Sequence, residues 1–430
     1  MALFGRRKVT PEVEDEPEEV EPAVLPPAPP LNEAGLRTVE DHTEYLLSLV
    51  EPLPPFGMSV LEAWDQVICE DIDSMINVPP NNTAKVEGYA VRASDLVDED
   101  GGMVESLELI DQTERLPVGN AVAVGVAGVL PKGANAVLPR SFAEEEGSLL
   151  HLLDAVGEGD YLRAAGEHLA VGTRLLSQGD VLNDRNIGML AGAGIHKVFV
   201  RPRPRVVVVS SGPELVEPGD SVHHGQTLDS NSFMIAAAAR AAGATVFRVA
   251  IHSSDPDELK LTISDQLIRA DLLISTTSGR REDYEAVAAA MNEIGLTDSV
   301  EVAMSPGRTQ TFGLIGEERV PMVMLPGNPV SAYVSFHAFV WPLIRRLAGA
   351  DESRRQVRAI ATTAMRSSLN QLHLLRGDVY TESSIRRVER VSDPYAMSEL
   401  SRSNALILLD EETELVRAGE PVRCWLLEEE

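Results

Sequence analysis

The segment with the clearest potential for chemistry is 324–336, which reads MLPGNPVSAYVSF. An apolar run ends in the turn PGNP, and Ser331 begins a stretch that is typical of a helix. Gly327 permits an unusual backbone turn, and free backbone amides at the start of a helix can hold an anion. The sequence therefore predicts an anion site around Gly327, Asn328 and Ser331. A simple tight turn between a strand and a helix is the alternative interpretation.

The elements that position this segment belong to a pattern of alternating strands and helices that begins at Arg205. The stretches RVVVVSSG, ATVFRVAI and DLLISTTSG read as buried strands, and helical stretches lie between them. Such alternation predicts a doubly wound, mainly parallel sheet. Ligands of these sheets bind beyond the carboxyl ends of the strands, which are here residues 210–212, 275–279 and 325–328.

The rest of the chain divides into segments of different character. Thr38 is a candidate N-cap for a helix in TVEDHTEYLLSLV, and a second helical stretch is predicted from Ser59. Short alternating segments between glycines predict a small β domain, and short strands return after Leu347. We therefore predict a multidomain α/β protein with these parts: a disordered acidic and proline-rich tail at 1–35, an elongated helical region at 36–75 and 181–204, an inserted β domain at 76–180, an α/β domain at 205–350 and a C-terminal β domain at 351–430.

Composition excludes several classes of function. The chain of 430 residues has 67 Asp and Glu against 37 Lys and Arg, which gives a net charge of −30. Such a surface repels phosphate backbones, and no basic stripe offsets it, so we expect no nucleic-acid binding. The longest apolar runs are of strand length, so we expect no membrane insertion. Only two cysteines are present, which excludes a disulfide framework and suits a reducing cytoplasm, where we expect the protein to be located.

Several further motifs accompany LPGNPVSA (325–332) in a fixed order along the chain. They are VPPNNTAKVEGYAVRASDL (78–96), LPKGANAV (130–137), AAGEHLAVGTRL (164–175), SSGPELVEPGD (210–220), LDSNSFMI (228–235), TTSGRREDY (276–284), AMSPGRTQTFG (303–313) and MSELSRSNALILL (397–409). With this series, which spans residues 36–428, the chain resembles the molybdopterin molybdenumtransferase (MoeA) family, which includes the E domain of gephyrin.

The resemblance implies a fold, an assembly and a reaction. The fold would have a doubly wound, MogA-like α/β domain, an inserted β domain, a C-terminal β domain, and an elongated region through which two copies form a homodimer. The reaction would insert molybdate into adenylylated molybdopterin with magnesium, and Glu87 and Asp283 would be the catalytic, metal-holding residues. The positions that would surround the substrate are Ser210, Gly212, Asp229, Asn231, Gly307, Arg308, Gly327, Asn328 and Ser331.

The chain departs from the family pattern at charged positions. The essential Asp of the N-terminal motif is Glu87 here, and a magnesium ion at its ligand distance of about 2.1 Å tolerates little misplacement by a longer arm. A second carboxylate position is occupied by His168, a poor ligand for a hard cation. The glycine-rich loop ahead of Asp283 is shorter and carries Arg280 and Arg281, which are suited to a phosphate or an acidic peptide. Further charged positions of the family are replaced at Pro213 and Ser305.

Because the retained residues mainly shape the backbone, we interpret the chain as a gephyrin-like dimeric scaffold with a degenerate active site and no expected cofactor. The E domain of gephyrin binds a receptor peptide between the elongated region of one subunit and the C-terminal domain of the other. The corresponding positions here are Val39, Glu40, Thr43, Leu374, Leu409 and Asp410, for which ordinary dimer packing is the alternative interpretation.

The tail and scaffold also resemble the gephyrin-like proteins of actinobacteria, which are associated with cell division. Those proteins bind the C-terminal tail of the tubulin-like FtsZ and a membrane receptor. The resemblance therefore implies an FtsZ peptide and a membrane receptor as partners, with recruitment to the division septum.

Two other hypotheses remain open. The first is a working molybdopterin molybdenumtransferase, for which magnesium and adenylylated molybdopterin would be required. The second is altered nucleotide or phosphate binding at Arg280 and Arg281.

Overall fold

The computed structural model describes residues 24–391 and 396–427. Most of the predicted disordered tail, residues 1–23, lies outside the described residues. The described remainder, 24–35, is not detached from the fold. Leu25 packs against the core of the α/β part, and the hydroxyl of Tyr45 donates a hydrogen bond to the carbonyl oxygen of Pro26 at 3.0 Å.

Residues 24–204 form short strands and two α-helices. Its elements are α1 Val39–Ser48, β1 Phe56–Ser59, β2 Ile72–Asp73, β3 Thr83–Ala84, β4 Gly88–Val91, β5 Ser106–Ile110, β6 Asn120–Val124, β7 Ala136–Pro139, β8 Ala143–Glu146, β9 Leu149–Leu152, β10 Leu162–Arg163, β11 Arg174–Leu176, α2 Asp184–Gly192 and β12 Lys197–Val200. A six-stranded sheet has the order β7-β4-β6-β5-β9-β8. In the chain it is preceded by β1 and β2 and followed by β11 and β12, and β1 pairs antiparallel with β12 and β2 with β11. These two pairs join the segments that flank the inserted sheet.

The helix predicted after Thr38 is confirmed, because the Thr38 hydroxyl accepts the amide of Asp41 at 3.1 Å and α1 follows. The helix predicted from Ser59 is wrong. β1 ends at Ser59, and the stretch after it forms turns, one of them through Asp65 at a φ of 62°, and single β-bridges at Val67 and Ile68. Its backbone is satisfied across the chain instead, since the amide of Ile68 donates to the carbonyl of Asp180 at 2.8 Å.

The next part of the chain is a layered α/β unit. Its elements are β13 Arg205–Ser211, β14 Leu215–Val216, β15 Thr227–Leu228, α3 Asn231–Ala241, β16 Thr245–Ile251, α4 Pro256–Leu267, β17 Leu272–Thr277, α5 Arg281–Ile294, β18 Gly295–Glu301, β19 Met304–Ser305, β20 Thr309–Ile315, β21 Val320–Met324, α6 Pro329–Ser335, a π-helical turn Phe336–Val340 and α7 Trp341–Leu347.

The main sheet of this unit has the order β16-β13-β17-β21-β20-β18. Its first four strands are parallel, and β20 and β18 are antiparallel additions at one edge, so the prediction of a doubly wound, mainly parallel sheet is confirmed. Along β13, Val206 and Val208 pack into one core cluster and Val207 and Val209 into the other. Burial on both faces explains the uninterrupted run of valines in the sequence.

The last part of the chain is a β domain. Its elements are β22 Gln356–Ala361, β23 Met365–Arg366, β24 Leu372–Glu382, β25 Ile385–Arg390, α8 Met397–Leu400, β26 Ala405–Leu409, β27 Leu415–Val416 and β28 Pro421–Leu426. The short strand β19 pairs in parallel with the start of β24, so the sheet of this domain begins inside the α/β unit. Leu374, Leu406 and Leu408 belong to the same core cluster as α1 and α7, and the two units therefore share a core.

A buried polar group fixes α1 against the edge strand β18. Arg37 is 3% exposed and contacts Asp298 at 2.5 Å, and its guanidinium lies 3.2 Å from Nδ1 of His42. His42 also packs edge-on against Phe339, with ring centroids 4.8 Å apart. Burial and the neighbouring Arg37 lower the pKa of His42 to about 4.

No helix within residues 24–391 and 396–427 has the length and apolarity needed to cross a membrane.

His42 should make the stability of the protein depend on pH. Its pKa is about 6.5 in the unfolded chain and about 4 in the folded one, so the unfolded chain binds more protons between these pH values. The free energy of unfolding should therefore fall as the pH drops from 6.5 towards 4. Between pH 7.5 and pH 5, the free energy of unfolding of His42→Gln should fall by about 2 kcal/mol less than that of the wild type. Urea denaturation at both pH values measures this, with the exposed His168→Gln as the matched control. Equal pH dependence in wild type and His42→Gln would contradict the assignment.

Candidate functional site

The turn at Gly327 connects β21 to α6, as the sequence predicts, but the amides at the start of α6 are not free. Asn328 is the N-cap, and its side-chain oxygen accepts the amides of Val330 at 3.0 Å and Ser331 at 3.2 Å. Pro329 has no amide hydrogen, and the amide of Ala332 donates to the carbonyl of Asn328. The predicted anion site at these amides is therefore occupied by the chain itself, through ordinary N-capping.

Gly327 instead allows two loops at the carboxyl edge of the sheet to touch. A Cβ atom at this position would lie 2.2 Å from the Cα of Gly279, which follows β17. The side-chain amide of Asn231, at the start of α3, donates to the carbonyl of Gly327 at 2.7 Å. The Asn231 side chain thus ties the two loops to a third element, and its side-chain oxygen is buried with no hydrogen-bond partner in the described part of the chain.

Asp229 acts as a cap for α3. One of its carboxylate oxygens accepts the amide of Ser232 at 3.0 Å and the other accepts the Ser232 hydroxyl at 2.5 Å. Only 3% of Asp229 is exposed, and Arg248 lies 3.7 Å from it. The sequence predicted Asp229 and Asn231 as substrate contacts, whereas in this structure both mainly hold the loops around a small cavity of about 110 Å³.

Asp283, the predicted catalytic and metal-binding carboxylate, is buried and doubly hydrogen-bonded. Its two oxygens accept the hydroxyls of Ser254 at 2.5 Å and Ser278 at 2.6 Å, and 4% of the residue is exposed. These bonds join the loop before α4 to the loop before α5. Both carboxylate oxygens of Asp283 therefore serve to hold these two loops together.

Glu87, the second predicted metal ligand, lies elsewhere, on the sheet of the inserted β part. Its carboxylate pairs with Arg140 at 2.8 Å, and both side chains are mostly exposed. Nearby, the hydroxyl of Tyr89 donates to Glu145 at 2.6 Å, and burial followed by this bond raises the pKa of Tyr89 to about 12. Glu87 lines a cavity of about 190 Å³ that Asp283 does not reach.

The described residues contain no group of three or more His, Cys, Asp or Glu side chains arranged to hold a metal ion. His168, at the second carboxylate position of the family, is exposed on a loop of the inserted part. Each of the two predicted carboxylates already has partners from its own chain. In this geometry Glu87 and Asp283 do not fit a shared magnesium ion.

A larger cavity of about 530 Å³ opens at the start of α5, beside the contact between Gly279 and Gly327. Arg280 and Arg281 line it, together with Tyr284. Arg280 is held by Glu214, with its Nε 3.0 Å from a carboxylate oxygen, and Arg281 pairs with Glu285 at 2.6 Å. This cavity contains the cations that the sequence analysis singled out.

Two contributors to this cavity were missed from the sequence. Thr277 is 2% exposed, lines the cavity, and its hydroxyl is buried without a hydrogen-bond partner in the described residues. Glu214 is 7% exposed and pairs with Arg280 without lining the cavity itself. The position of Thr277 at the end of a buried strand was the available signal. Nothing in the sequence pointed to the pairing of Glu214 with Arg280.

The remaining predicted substrate positions are Ser210, Gly212, Gly307 and Arg308, and none of them lines the cavity at the start of α5. Ser210 is buried within β13, and Gly212 follows it at a φ of 151°. Gly307 approaches α6 so closely that a Cβ would lie 2.5 Å from the Ser335 hydroxyl. Arg308 is exposed and donates to Gln371 at 3.2 Å.

Four of the six predicted peptide-binding residues line one groove of about 840 Å³ between α1 and the C-terminal sheet. They are Val39, Glu40, Thr43 and Asp410. Leu374 and Leu409 are each 1% exposed and lie beneath the surface. Because side chains alternate along a strand, Leu409 lies on the opposite face of the sheet from Leu408, which lines the groove. Leu374 pairs with Leu408 across the sheet and packs into the shared core. The groove forms within a single chain, although the sequence analysis placed its two sides on different subunits.

The groove is strongly acidic. Its lining includes Glu40, Glu44, Glu352, Asp410, Glu411 and Glu412 against the cations Arg354 and Arg423, and Arg423 pairs with Asp410. Burial and then the nearby carboxylates of Glu412, Asp41 and Asp410 raise the pKa of Glu411. Its floor includes Leu372 and Trp425.

Three family models match successive parts of the chain. The MoeA N-terminal region (domain I and II) matches residues 37–194, a probable molybdopterin binding domain matches 208–346, and the MoeA C-terminal region (domain IV) matches 358–427. The cavity at the start of α5 lies within the second of these matches.

Similar proteins extend over nearly the whole chain. Molybdopterin molybdenumtransferase 1 of Mycobacterium tuberculosis is 31% identical over 417 residues, which covers 90% of this chain and 98% of that protein. The molybdopterin molybdenumtransferase of Haemophilus influenzae is 29% identical over 374 residues, which covers 85% and 92%. The crystal structure of the molybdopterin biosynthesis MoeA protein from Pyrococcus horikosii has a TM-score of 0.79 at 23% identity and covers 92% of this chain and 100% of that one. The predicted multidomain fold is thereby confirmed.

Replacing Gly327 by Ala should disrupt the carboxyl edge of the sheet. The added methyl group would collide with the backbone of Gly279, which cannot rotate away as a flexible side chain can. We expect the free energy of unfolding to fall by about 1–3 kcal/mol, measured by urea denaturation. Gly188→Ala is the matched control, because Gly188 lies within α2 with nothing within 4 Å of an added Cβ. Gly188→Ala should be neutral or stabilising. Equal stability of the two variants would contradict the close contact.

Proposed function

Because the chain belongs to the molybdopterin molybdenumtransferase family, we propose that its α/β unit binds a phosphate-bearing ligand of the molybdopterin class. The cavity of about 530 Å³ at the start of α5 carries this proposal. It lies beyond the carboxyl ends of the parallel strands, where sheets of this type bind ligands. Its volume is also in the range of small-molecule sites.

The lining of the cavity suits the two ends of such a ligand. Arg280 and Arg281 supply positive charge for a phosphate group, and the protein is otherwise acidic. Tyr284 and Pro326 supply surface for a ring system. The hydroxyl of Tyr284 donates to Thr311 at 3.0 Å, so the ring is fixed in place.

Transfer of molybdate to such a ligand is the enzymatic hypothesis, and the names of the similar proteins favour it over a scaffold. The carboxylates of this chain do not favour a magnesium-dependent transfer. Asp283 is buried between two serine hydroxyls, and Glu87 is paired with Arg140 in another part of the molecule. We therefore propose ligand binding as the function of the α/β unit and derive no step that uses the metal.

Complementation separates binding from transfer. The chain is expressed in a strain that lacks its molybdopterin molybdenumtransferase, and the activity of a molybdenum-dependent enzyme is measured. We expect no rescue, because the predicted metal ligands are occupied by partners of their own chain. The relative from Mycobacterium tuberculosis serves as the positive control, with matched expression levels. Full rescue would establish the enzymatic hypothesis. Failure of the purified protein to bind molybdopterin would remove the proposed ligand.

A second candidate function is a gephyrin-like scaffold that binds a peptide in the groove beside α1. The observation that favours it is the joint lining of this groove by Val39, Glu40, Thr43 and Asp410, all predicted from the resemblance to gephyrin. The excess of carboxylates favours a peptide that combines apolar with basic side chains. We propose the C-terminal tail of FtsZ as this peptide, with a membrane receptor as a second partner, a homodimer as the assembly, and the division septum as the place of recruitment.

Peptide binding can be tested with a labelled FtsZ C-terminal tail and fluorescence anisotropy. Replacing Thr43 by Arg places a long side chain in the groove, and we expect at least a tenfold loss of affinity. Thr113→Arg is the matched control, because Thr113 is half-buried like Thr43 but lies on the inserted β part, outside the groove lining. If the wild-type protein shows no saturable binding at micromolar concentrations, this candidate function is wrong. Equal losses of affinity in Thr43→Arg and Thr113→Arg would also contradict it.

A further inference from the structure

The cavity at the start of α5 contains a guanidinium that is held in place by a buried carboxylate. Glu214 is 7% exposed, and one of its oxygens lies 3.0 Å from Nε of Arg280. A carboxylate buried without a cation is costly, so Glu214 favours this one placement of the Arg280 side chain. The side chain of Arg280 is still 52% exposed, and it lines the cavity.

This arrangement leaves donors available to a ligand. A guanidinium has five N–H groups, and the Nε contact with Glu214 uses one corner of the planar fork. A fork held in a fixed plane matches the oxygen spacing of a phosphate, and less side-chain entropy is lost on binding. Arg280 is also the N-cap of α5, a helix of 14 residues, and it offers no side-chain acceptor to the amides of the first turn.

An independent observation points to a ligand in the same place. Thr277 lines the cavity, and its hydroxyl is buried without a hydrogen-bond partner within the described residues. A buried hydroxyl without a partner is costly, and a ligand oxygen would satisfy it. Thr277 and Arg280 lie on either side of Gly279 in the chain, and the backbone of Gly279 contacts Gly327.

The carboxylates that line the cavity are those of Glu285 and Glu301, and Asp283 and Glu214 lie beside it without being part of the lining. Asp283 accepts two serine hydroxyls, and Glu285 pairs with Arg281. One oxygen of Glu214 pairs with Arg280, and its other oxygen is buried without a hydrogen-bond partner within the described residues. A divalent cation at Asp283 or Glu285 would have to displace an internal partner, and Glu301 by itself offers too few oxygen ligands to hold one. The positive charge that neutralises a phosphate here is therefore already part of the chain.

We propose that this cavity binds the phosphate group of its ligand without a divalent cation, through the guanidinium of Arg280 held by Glu214 and through the hydroxyl of Thr277. The inference rests on the proposed binding of a molybdopterin-class ligand and specifies how the phosphate end is recognised. Arg280 is the binding residue, and Glu214 is a positioning residue that acts through it.

Isothermal titration of the full-length protein with inorganic pyrophosphate tests the proposal, in buffer with EDTA and in buffer with excess magnesium. We expect the same affinity in EDTA as in magnesium, within about threefold. Arg280→Gln should weaken binding by about 10-fold to 100-fold, the range for a hydrogen bond to a charged group. Arg269→Gln is the matched control, because Arg269 is an exposed arginine bonded to Gln266, outside the cavity lining. Its affinity should equal that of the wild type.

The positioning role of Glu214 needs a readout that general loss of structure would not give. Glu214→Gln keeps the shape of the side chain and removes its charge, and we expect weaker binding at an unchanged melting temperature. In the Arg280→Gln background the same change should have no further effect on affinity, since the two residues act as one unit. Additive losses would show that Glu214 does not act through Arg280.

The outcomes distinguish this inference from the function it rests on. Pyrophosphate binding that disappears in EDTA overturns the metal-free mode and leaves the proposed function standing. If Arg280→Gln binds pyrophosphate as tightly as the wild type, recognition through Arg280 is wrong, and the proposed function still stands. If molybdopterin binds but pyrophosphate does not, phosphate recognition at Arg280 is wrong. If neither binds, both the inference and the proposed function fail.

Discussion

The close approach of two glycine backbones at the carboxyl edge of the sheet is the constraint on which the rest of the site depends. The loop after β17 and the loop after β21 meet at Gly279 and Gly327, where no side chain fits between them. Asn231 bonds to the carbonyl of Gly327 and ties the start of α3 to the same point. Because these loops cannot separate without breaking that contact, Thr277 and Arg280 have fixed positions at the rim of one cavity.

Around this contact, the chain satisfies its own polar groups. Asn328 caps α6 with its own side chain, and Asp283 binds serines from two loops. Glu214 holds Arg280. Groups of the kinds that bind metal and substrate in enzymes therefore act here as internal joints. Such joints rigidify a site, and they leave fewer groups to coordinate a cation. The guanidinium of Arg280 is a charge that both belongs to a joint and faces the cavity.

The groove beside α1 depends on the same core as the cavity. Residues of α1, of the parallel strands and of the C-terminal sheet pack into one hydrophobic cluster, which includes Leu46, Val208 and Leu408. The buried contact of Arg37 with Asp298 then fixes α1 against the edge of the α/β sheet. One packed core thus positions two surfaces of opposite character: an acidic groove and a cavity that contains arginines. Ligand binding at one surface and peptide binding at the other are compatible on this geometry.

The sequence by itself determined the elements whose patterns are local. The valines of β13 and the Thr38 cap of α1 each depend on only a few neighbouring residues. The ordered motifs likewise gave the family and the multidomain fold. Tertiary structure decided what each polar side chain does, because its partners come from distant segments. Asn328 could have left its helix amides to an anion, yet it caps them, and Asp283 meets Ser254 only once α4 and α5 pack together. The segment after Ser59 has a helical pattern but becomes strand and turn, since pairing with residues near 180 and 200 satisfies its backbone. Partners far apart in sequence carry no local signal, and for that reason the pairing of Glu214 with Arg280 was visible only in the folded chain.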